Sequence, residues 1–291
     1  MERLIIGCGY LGRRVAERWL AAGDRVYAAT RSEQRAAEFT AAGIEPIVAD
    51  VTDRASLASL PRCDTLLFAV GYDRSAEPSI GEVYVDGFRN VLDSLPAETG
   101  RVIYISTTGV YGNAGSDWVD EQTPTEPQRD GGKASLAAEE ALRASPFGGR
   151  GVSLRLAGIY GPDRVPFLDR LRAGEPIPAP QHGCVNLIHV DDAADIVVSV
   201  SNHDASKRNA PLPSVLCVSD GNPPLRADYY REVARLIGAA EPTFTEPAPG
   251  TPRAARAKAS KRVRNDLMIR SLGVSLRHGD YRSGLAAILG P

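Results

Sequence analysis

Six residues near the start of the chain, Gly7-Cys8-Gly9-Tyr10-Leu11-Gly12, have the spacing of a phosphate cradle. Leu4-Ile5-Ile6 reads as a strand running into them, and an amphipathic stretch, Leu11–Ala22, follows. In that setting Gly7 permits a tight turn and Gly9 lets a pyrophosphate approach the backbone. Gly12 allows the helix to pack closely on the strand. The start of the helix then offers unpaired N–H groups to the anion. A nicotinamide dinucleotide pocket is the expectation. The end of the next strand discriminates between the two dinucleotides. Val26-Tyr27-Ala28-Ala29 runs into Thr30-Arg31-Ser32, with no carboxylate to take a ribose 2′-hydroxyl. A guanidinium suits a 2′-phosphate, and Thr30 and Ser32 add hydrogen bonds. NADP is therefore expected, with NAD as the alternative.

A second concentration of chemistry lies near the other end. Arg253, Arg256, Lys258, Lys261, Arg262 and Arg264 follow a loop carrying Pro242, Pro247, Pro249 and Pro252. In a chain of formal net charge −2 this local excess either meets an anionic substrate, such as a sugar nucleotide or phosphate, or forms a solvated face. The overall charge gives no field for nucleic acid or an anionic membrane. Cys8, Cys63, Cys184 and Cys217 are scattered without a CxxC pair, which reads as reduced thiols in a cytoplasmic protein. The four histidines are dispersed, so no metal site is expected, and His189 beside Asp191 and Asp192 reads as structural.

These residues need a frame. Strands are predicted near Arg3–Ile6, Arg25–Ala29, Glu45–Val48, Thr65–Ala69, Arg101–Ser106 and Gly151–Leu156. Helical patterns fill the gaps, clearest at Leu11–Ala22, Ile80–Leu95 and Lys133–Ala144. Such alternation implies parallel strands with crossover helices, an α/β Rossmann-type doubly wound sheet. Beyond Tyr160-Gly161-Pro162 the prolines thicken and the rhythm breaks. A strand returns at Val185–Val190, a helix starts at Asp191, and further helices are predicted at Arg226–Ile237 and Asn265–Leu272. The expected division is a dinucleotide-binding domain over residues 1–160 and a small substrate-side lobe over 161–291, with residues 185–204 returning to the core. No run approaches the ~18 apolar residues of a membrane span, and no signal-peptide pattern opens the chain.

Beyond the glycines, four segments resemble the extended and atypical short-chain dehydrogenase/reductases of the NAD-dependent epimerase/dehydratase group. They are Val48-Ala49-Asp50-Val51, Ile105-Ser106-Thr107-Thr108-Gly109-Val110-Tyr111-Gly112, Leu154-Arg155-Leu156-Ala157-Gly158-Ile159-Tyr160-Gly161-Pro162 and Leu187-Ile188-His189-Val190-Asp191-Asp192-Ala193. The resemblance implies cofactor contacts from Asp50 and Val51 at the adenine, and from Ala69, Gly71, Ser106 and Tyr160. It also implies a small-molecule substrate. It places Thr107 where a hydroxyl orients the reacting oxygen, with Thr108 as the neighbour one register away. The family's Tyr-x-x-x-Lys pair does not follow: aligned on Leu136-Ala137-Ala138-Glu139, its two positions fall on Gly131 and Ser135.

A threonine hydroxyl titrates far too high to act alone as a base near neutrality. Lys133, two residues before the lysine position, is the nearest cation, and desolvation can lower an amine enough for proton transfer. Tyr111 and Tyr160 lie in loops that such a fold aims at the carboxyl edge of its sheet. Two readings remain open. One is an atypical reductase or epimerase/dehydratase using Thr107 with Lys133, Tyr111 or water. The other is a catalytically silent NADP-binding sensor.

Overall fold

A computed structural model describes residues 1–204, 211–251, 254 and 260–290. The chain forms two compact units. One comprises residues 1–110, 130–155 and 194–216; the other comprises 111–129, 156–193 and 217–291.

The first unit carries the doubly wound sheet. In spatial order its strands are Val215–Val218, Gly151–Leu156, β5 (Arg101–Thr107), β4 (Thr65–Phe68), β1 (Glu2–Ile6), β2 (Arg25–Thr30) and β3 (Glu45–Val48). β1 runs parallel to both β2 and β4, with Ile5 opposite Ala28 on one side and Leu67 on the other. Runs such as Leu4-Ile5-Ile6 and Leu66-Leu67-Phe68 are buried on both faces, as suits a parallel sheet covered by helices. On one face Leu4, Leu66, Phe68, Val102 and Tyr104 join Phe88, Val91 and Leu142 in a single core. Strand order reverses about β1, which makes its carboxyl end the crevice where ligands bind in such sheets.

The helices of this unit are α1 (Tyr10–Ala21), α2 (Glu33–Ala41), α3 (Gly87–Ser94) and α4 (Asp130–Ala144). Three helices depart from the sequence reading in detail. The helix expected over Ile80–Leu95 runs without a break over 80–94 and carries a π-helical turn, Glu82–Asp86, directly before α3. At the junction a Cβ on Gly87 would lie 2.7 Å from the Val51 side chain, so glycine lets the helix close on that loop. α4 begins three residues before Lys133. α2 was not anticipated because Glu33, Gln34 and Arg35 hide its short stripe of Ala36 and Phe39.

In the second unit short parallel pairs replace the sheet: Gly158–Tyr160 with Leu187–His189, and Trp118–Val119 with Arg262–Val263. Helices Arg226–Leu236, Asp266–Leu272 and Tyr281–Leu289 belong to it. Tyr160, Ile177, Leu187, Tyr229, Val233, Tyr281 and Leu285 pack as its own core. Among the described residues no helix is long and apolar enough to cross a membrane.

Candidate functional site

The glycine cradle sits at the carboxyl end of β1, and each glycine answers a separate constraint. Gly7 has φ +96°, and a Cβ there would lie 2.5 Å from the Ala69 carbonyl carbon. A Cβ on Gly12 would meet the Gly7 carbonyl oxygen at 2.7 Å. Gly9 has nothing within 4 Å of its would-be Cβ, which leaves the backbone open to a bulky anion. No side chain caps α1 and no acid occupies its first turn. Its first N–H groups and positive dipole end therefore suit a pyrophosphate. Tyr10 opens the helix under the Arg14 guanidinium, 4.4 Å from its ring centroid, and Leu11 is buried.

The end of β2 supplies cations. Arg31 is exposed and reaches to 3.9 Å from an Asp50 carboxylate oxygen. That carboxylate also accepts from the backbone N–H and hydroxyl of Thr52, which fixes its loop. The hydroxyls of Thr30 and Ser32 hold the turn: Ser32 N donates to Thr30 Oγ1, and Ser32 Oγ caps α2 by accepting from Arg35 N. A second guanidinium that sequence reading missed is Arg35, whose Nη2 donates to the Cys8 carbonyl at 3.3 Å inside the cradle. Burial pushes the Cys8 thiol up to about 11, against the pull of Arg13 and Arg35. Asn90 Nδ2 donates to the Val51 carbonyl and ties that loop to α3. Ala69 N donates to the Ile6 carbonyl, placing the end of β4 beside the cradle, and Gly71 follows two residues on.

The end of β5 is anchored from beneath. The Ser106 hydroxyl donates to Glu139 on α4, and the same carboxylate takes a two-pronged ion pair from Arg155. Glu139 and Arg155 are each 6% exposed. Thr107, one residue beyond Ser106, is half-buried, and its Oγ1 accepts from Gly109 N at 3.0 Å. No acceptor for its hydroxyl hydrogen lies among the described residues. Ser135 is buried beside the Tyr104 hydroxyl. Lys133 lies on the exposed side of α4, without a hydrogen bond or ion pair among the described residues.

Two further residues expected at the site lie in the second unit. The Tyr111 hydroxyl and the Cys217 thiol are 3.0 Å apart, and both side chains are buried. Tyr160 is buried with its ring edge-on to His189 and its hydroxyl 3.5 Å from the Asp280 carbonyl. A Cβ on Gly284 would fall 1.9 Å from that hydroxyl. The basic run divides. Arg262 and Arg264 are exposed over the Trp118 ring, whereas Lys261 is buried and donates to the Gly112 carbonyl at 2.8 Å. Arg253, Arg256 and Lys258 lie outside the described residues. A cavity of about 690 Å³ in this unit is lined by Asn113, Ser116, His182, Glu246 and Ser260, among others.

A glycine cradle and uncapped helix at the reversal point of a parallel sheet define a Rossmann-type dinucleotide-binding protein. The chain belongs to the NAD-dependent epimerase/dehydratase family, whose model matches residues 4–211. A 4-hydroxy-2-methyl-3-oxo-4-farnesyl-3,4-dihydroquinoline-1-oxide ketoreductase of Stigmatella aurantiaca is 32% identical over 174 residues. That match covers 57% of this chain and 52% of the ketoreductase, so the chain spans about half the length of this curated relative. A solved structure from Methylobacillus flagellatus, provisionally named an NAD-dependent epimerase/dehydratase, is 32% identical with TM-score 0.79, covering 99% of this chain and 97% of that one. The Bordetella bronchiseptica enzyme WbmG, solved in complex with NAD, has TM-score 0.80 at 22% identity, covering 99% of this chain and 93% of that one.

Proposed function

We propose that the chain binds NADP(H) and works as an atypical reductase or epimerase/dehydratase on a small anionic or sugar-nucleotide-like molecule. The observation that carries the cofactor reading is the pairing of the open Gly9 cradle with a β2 end that offers Arg31 and no carboxylate of its own. In this reading Gly7, Gly9, Tyr10, Leu11 and Gly12 hold the pyrophosphate. Thr30, Arg31 and Ser32 meet the 2′-phosphate, Asp50 and Val51 flank the adenine, and Ala69, Gly71, Ser106 and Tyr160 complete the pocket. When bound, the nicotinamide supplies hydride chemistry. The chain's part is to hold and orient, with the Thr107 hydroxyl donating to the substrate oxygen and Lys133, Tyr111 or water moving the proton. The ketoreductase activity named for the Stigmatella aurantiaca relative favours carbonyl reduction within this class.

Titration with NADPH and NADH, followed by a screen of carbonyl metabolites and sugar nucleotides with stereospecifically deuterated NADPH, tests the reading. Expected are tighter NADPH binding and loss of label with at least one substrate. NADH binding as tightly as NADPH would overturn the cofactor half.

A second reading, a silent NADP-binding sensor, is favoured by the state of the proton-carrying candidates. Lys133 faces outward, the Tyr111 hydroxyl is engaged with Cys217, and the Tyr160 hydroxyl is buried against the Asp280 carbonyl. Label retained with every substrate class, alongside firm NADPH binding, would favour it.

A further inference from the structure

Lys261 is an unusual lysine. The residue is 7% exposed, and its ammonium has a single hydrogen-bond partner among the described residues, the Gly112 carbonyl. One carbonyl satisfies one of three N–H donors. No carboxylate of the described residues pairs with it, and the charge that acts on it most is the like charge of Arg129. Burial pushes the amine down to about 8, and Arg129 pushes the same way. A buried cation with only a neutral acceptor and a second cation for company is poor structural material. An apolar side chain of the same length would pack there at lower cost.

The backbone holds this lysine firmly. Asn186 brackets it, donating to the Lys261 carbonyl and accepting from Val263 N. Ser260 N donates to the Asn113 side chain, and Arg262 N to the Asp117 carbonyl. Asn113 and Ser260, the residues next to Gly112 and Lys261, both line the 690 Å³ cavity. A charge held in place, desolvated and lacking a counter-ion is the usual preparation for a ligand of opposite charge.

We propose that Lys261, with Arg129 beside it, is an anion-binding residue that takes a phosphoryl or carboxylate group of the substrate. This rests on the reading of an anionic small-molecule substrate and supplies that reading with its residues. An incoming anion would accept the spare ammonium hydrogens and offset the repulsion between the two cations.

The test uses the full chain saturated with NADPH, so that the cradle cannot take up the probe; cofactor fluorescence reports that saturation directly. Thermal unfolding is followed with inorganic pyrophosphate, with malonate, and with potassium chloride at matched ionic strength. Pyrophosphate or malonate should raise the melting temperature above the chloride control, the stronger of the two telling phosphoryl from carboxylate recognition. Lys261→Met should weaken that anion by at least about tenfold, Arg129→Gln by less, and Lys261→Arg should retain part of the effect. Lys261→Met without anion should melt no lower than the parent, because a buried charge has been removed. An anion response unchanged in Lys261→Met would dismiss Lys261 while leaving the anionic-substrate reading in place. No response in the parent would dismiss both. Should Lys261→Met fail to fold, Lys261→Arg and Arg129→Gln decide by the same comparison.

Discussion

Arg155 and Glu139 face each other through two nitrogens and two oxygens inside the first unit, and the same carboxylate takes the Ser106 hydroxyl. The pair joins the Gly151–Leu156 strand to α4 directly under the end of β5, where Thr107 emerges. Removing one partner leaves a buried charge uncompensated. Glu139→Ala should therefore cost about 3–5 kcal/mol in urea unfolding. Glu139→Leu combined with Arg155→Met should cost clearly less than the sum of the single changes. Strict additivity would mean that the two side chains do not act as a pair.

The proposed cofactor site makes a sharper prediction because two guanidiniums, Arg31 and Arg35, lie at the end of β2 and the start of α2. Arg31→Asp should reverse the preference from NADPH to NADH, since a carboxylate repels a 2′-phosphate and accepts from a 2′-hydroxyl. Arg35→Ala should weaken NADPH by about tenfold, the worth of one charge-assisted contact, and leave NADH within about threefold. Calorimetric titration of both cofactors reads each effect, and parallel losses for the two would remove Arg35 from the phosphate site.

In the proposed reaction Thr107 orients the substrate oxygen: its Oγ1 accepts from Gly109 N, and its O–H can donate. Thr107→Val should lower turnover by ~10²–10³ while NADPH affinity stays within about threefold. Unchanged turnover would move the role to Thr108, which is buried at 8% exposure.

The cradle was legible in the sequence because its glycine spacing is local, although the close approach of Ala69 to Gly7 comes only with the fold. Three glycines within six residues answer a positive φ, a close strand and an open approach. Arg35 was not legible: its bond to Cys8 spans 27 residues and depends on the direction in which α2 leaves β2. The Glu139–Arg155 pair was hidden for the same reason, since the partners sit on a helix and a strand that only the fold brings together. The fate of the basic run did leave a trace. Lys261, Arg262, Val263 and Arg264 alternate buried, exposed, buried, exposed, the period of a strand, so Val263 marks the side on which Lys261 turns in. Read as a charge cluster, the run gives no such distinction.

Asp220 ties stability to pH. It is 4% exposed; one carboxylate oxygen accepts from Asn222 N, and the other is buried without a partner among the described residues. Burial raises it to about 7, with the charges of Asp280 and Asp192 adding to the shift. Between the ordinary aspartate value and pH 7 the folded chain therefore holds a proton that the unfolded chain has lost. Stability from this group is complete in acid and falls as pH rises through that window. Asp220→Asn removes the titration, keeps a side-chain oxygen to accept from Asn222 N, and carries no charge to bury. The difference in unfolding free energy between variant and parent should thus shift toward the variant by about 2–4 kcal/mol from pH 4 to pH 8. The charges that act on Asp220, those of Asp280 and Asp192, are present in both proteins, so the difference isolates Asp220. Urea unfolding of both proteins across the range gives the measurement, and parallel curves would show that Asp220 stays ionised in the folded chain.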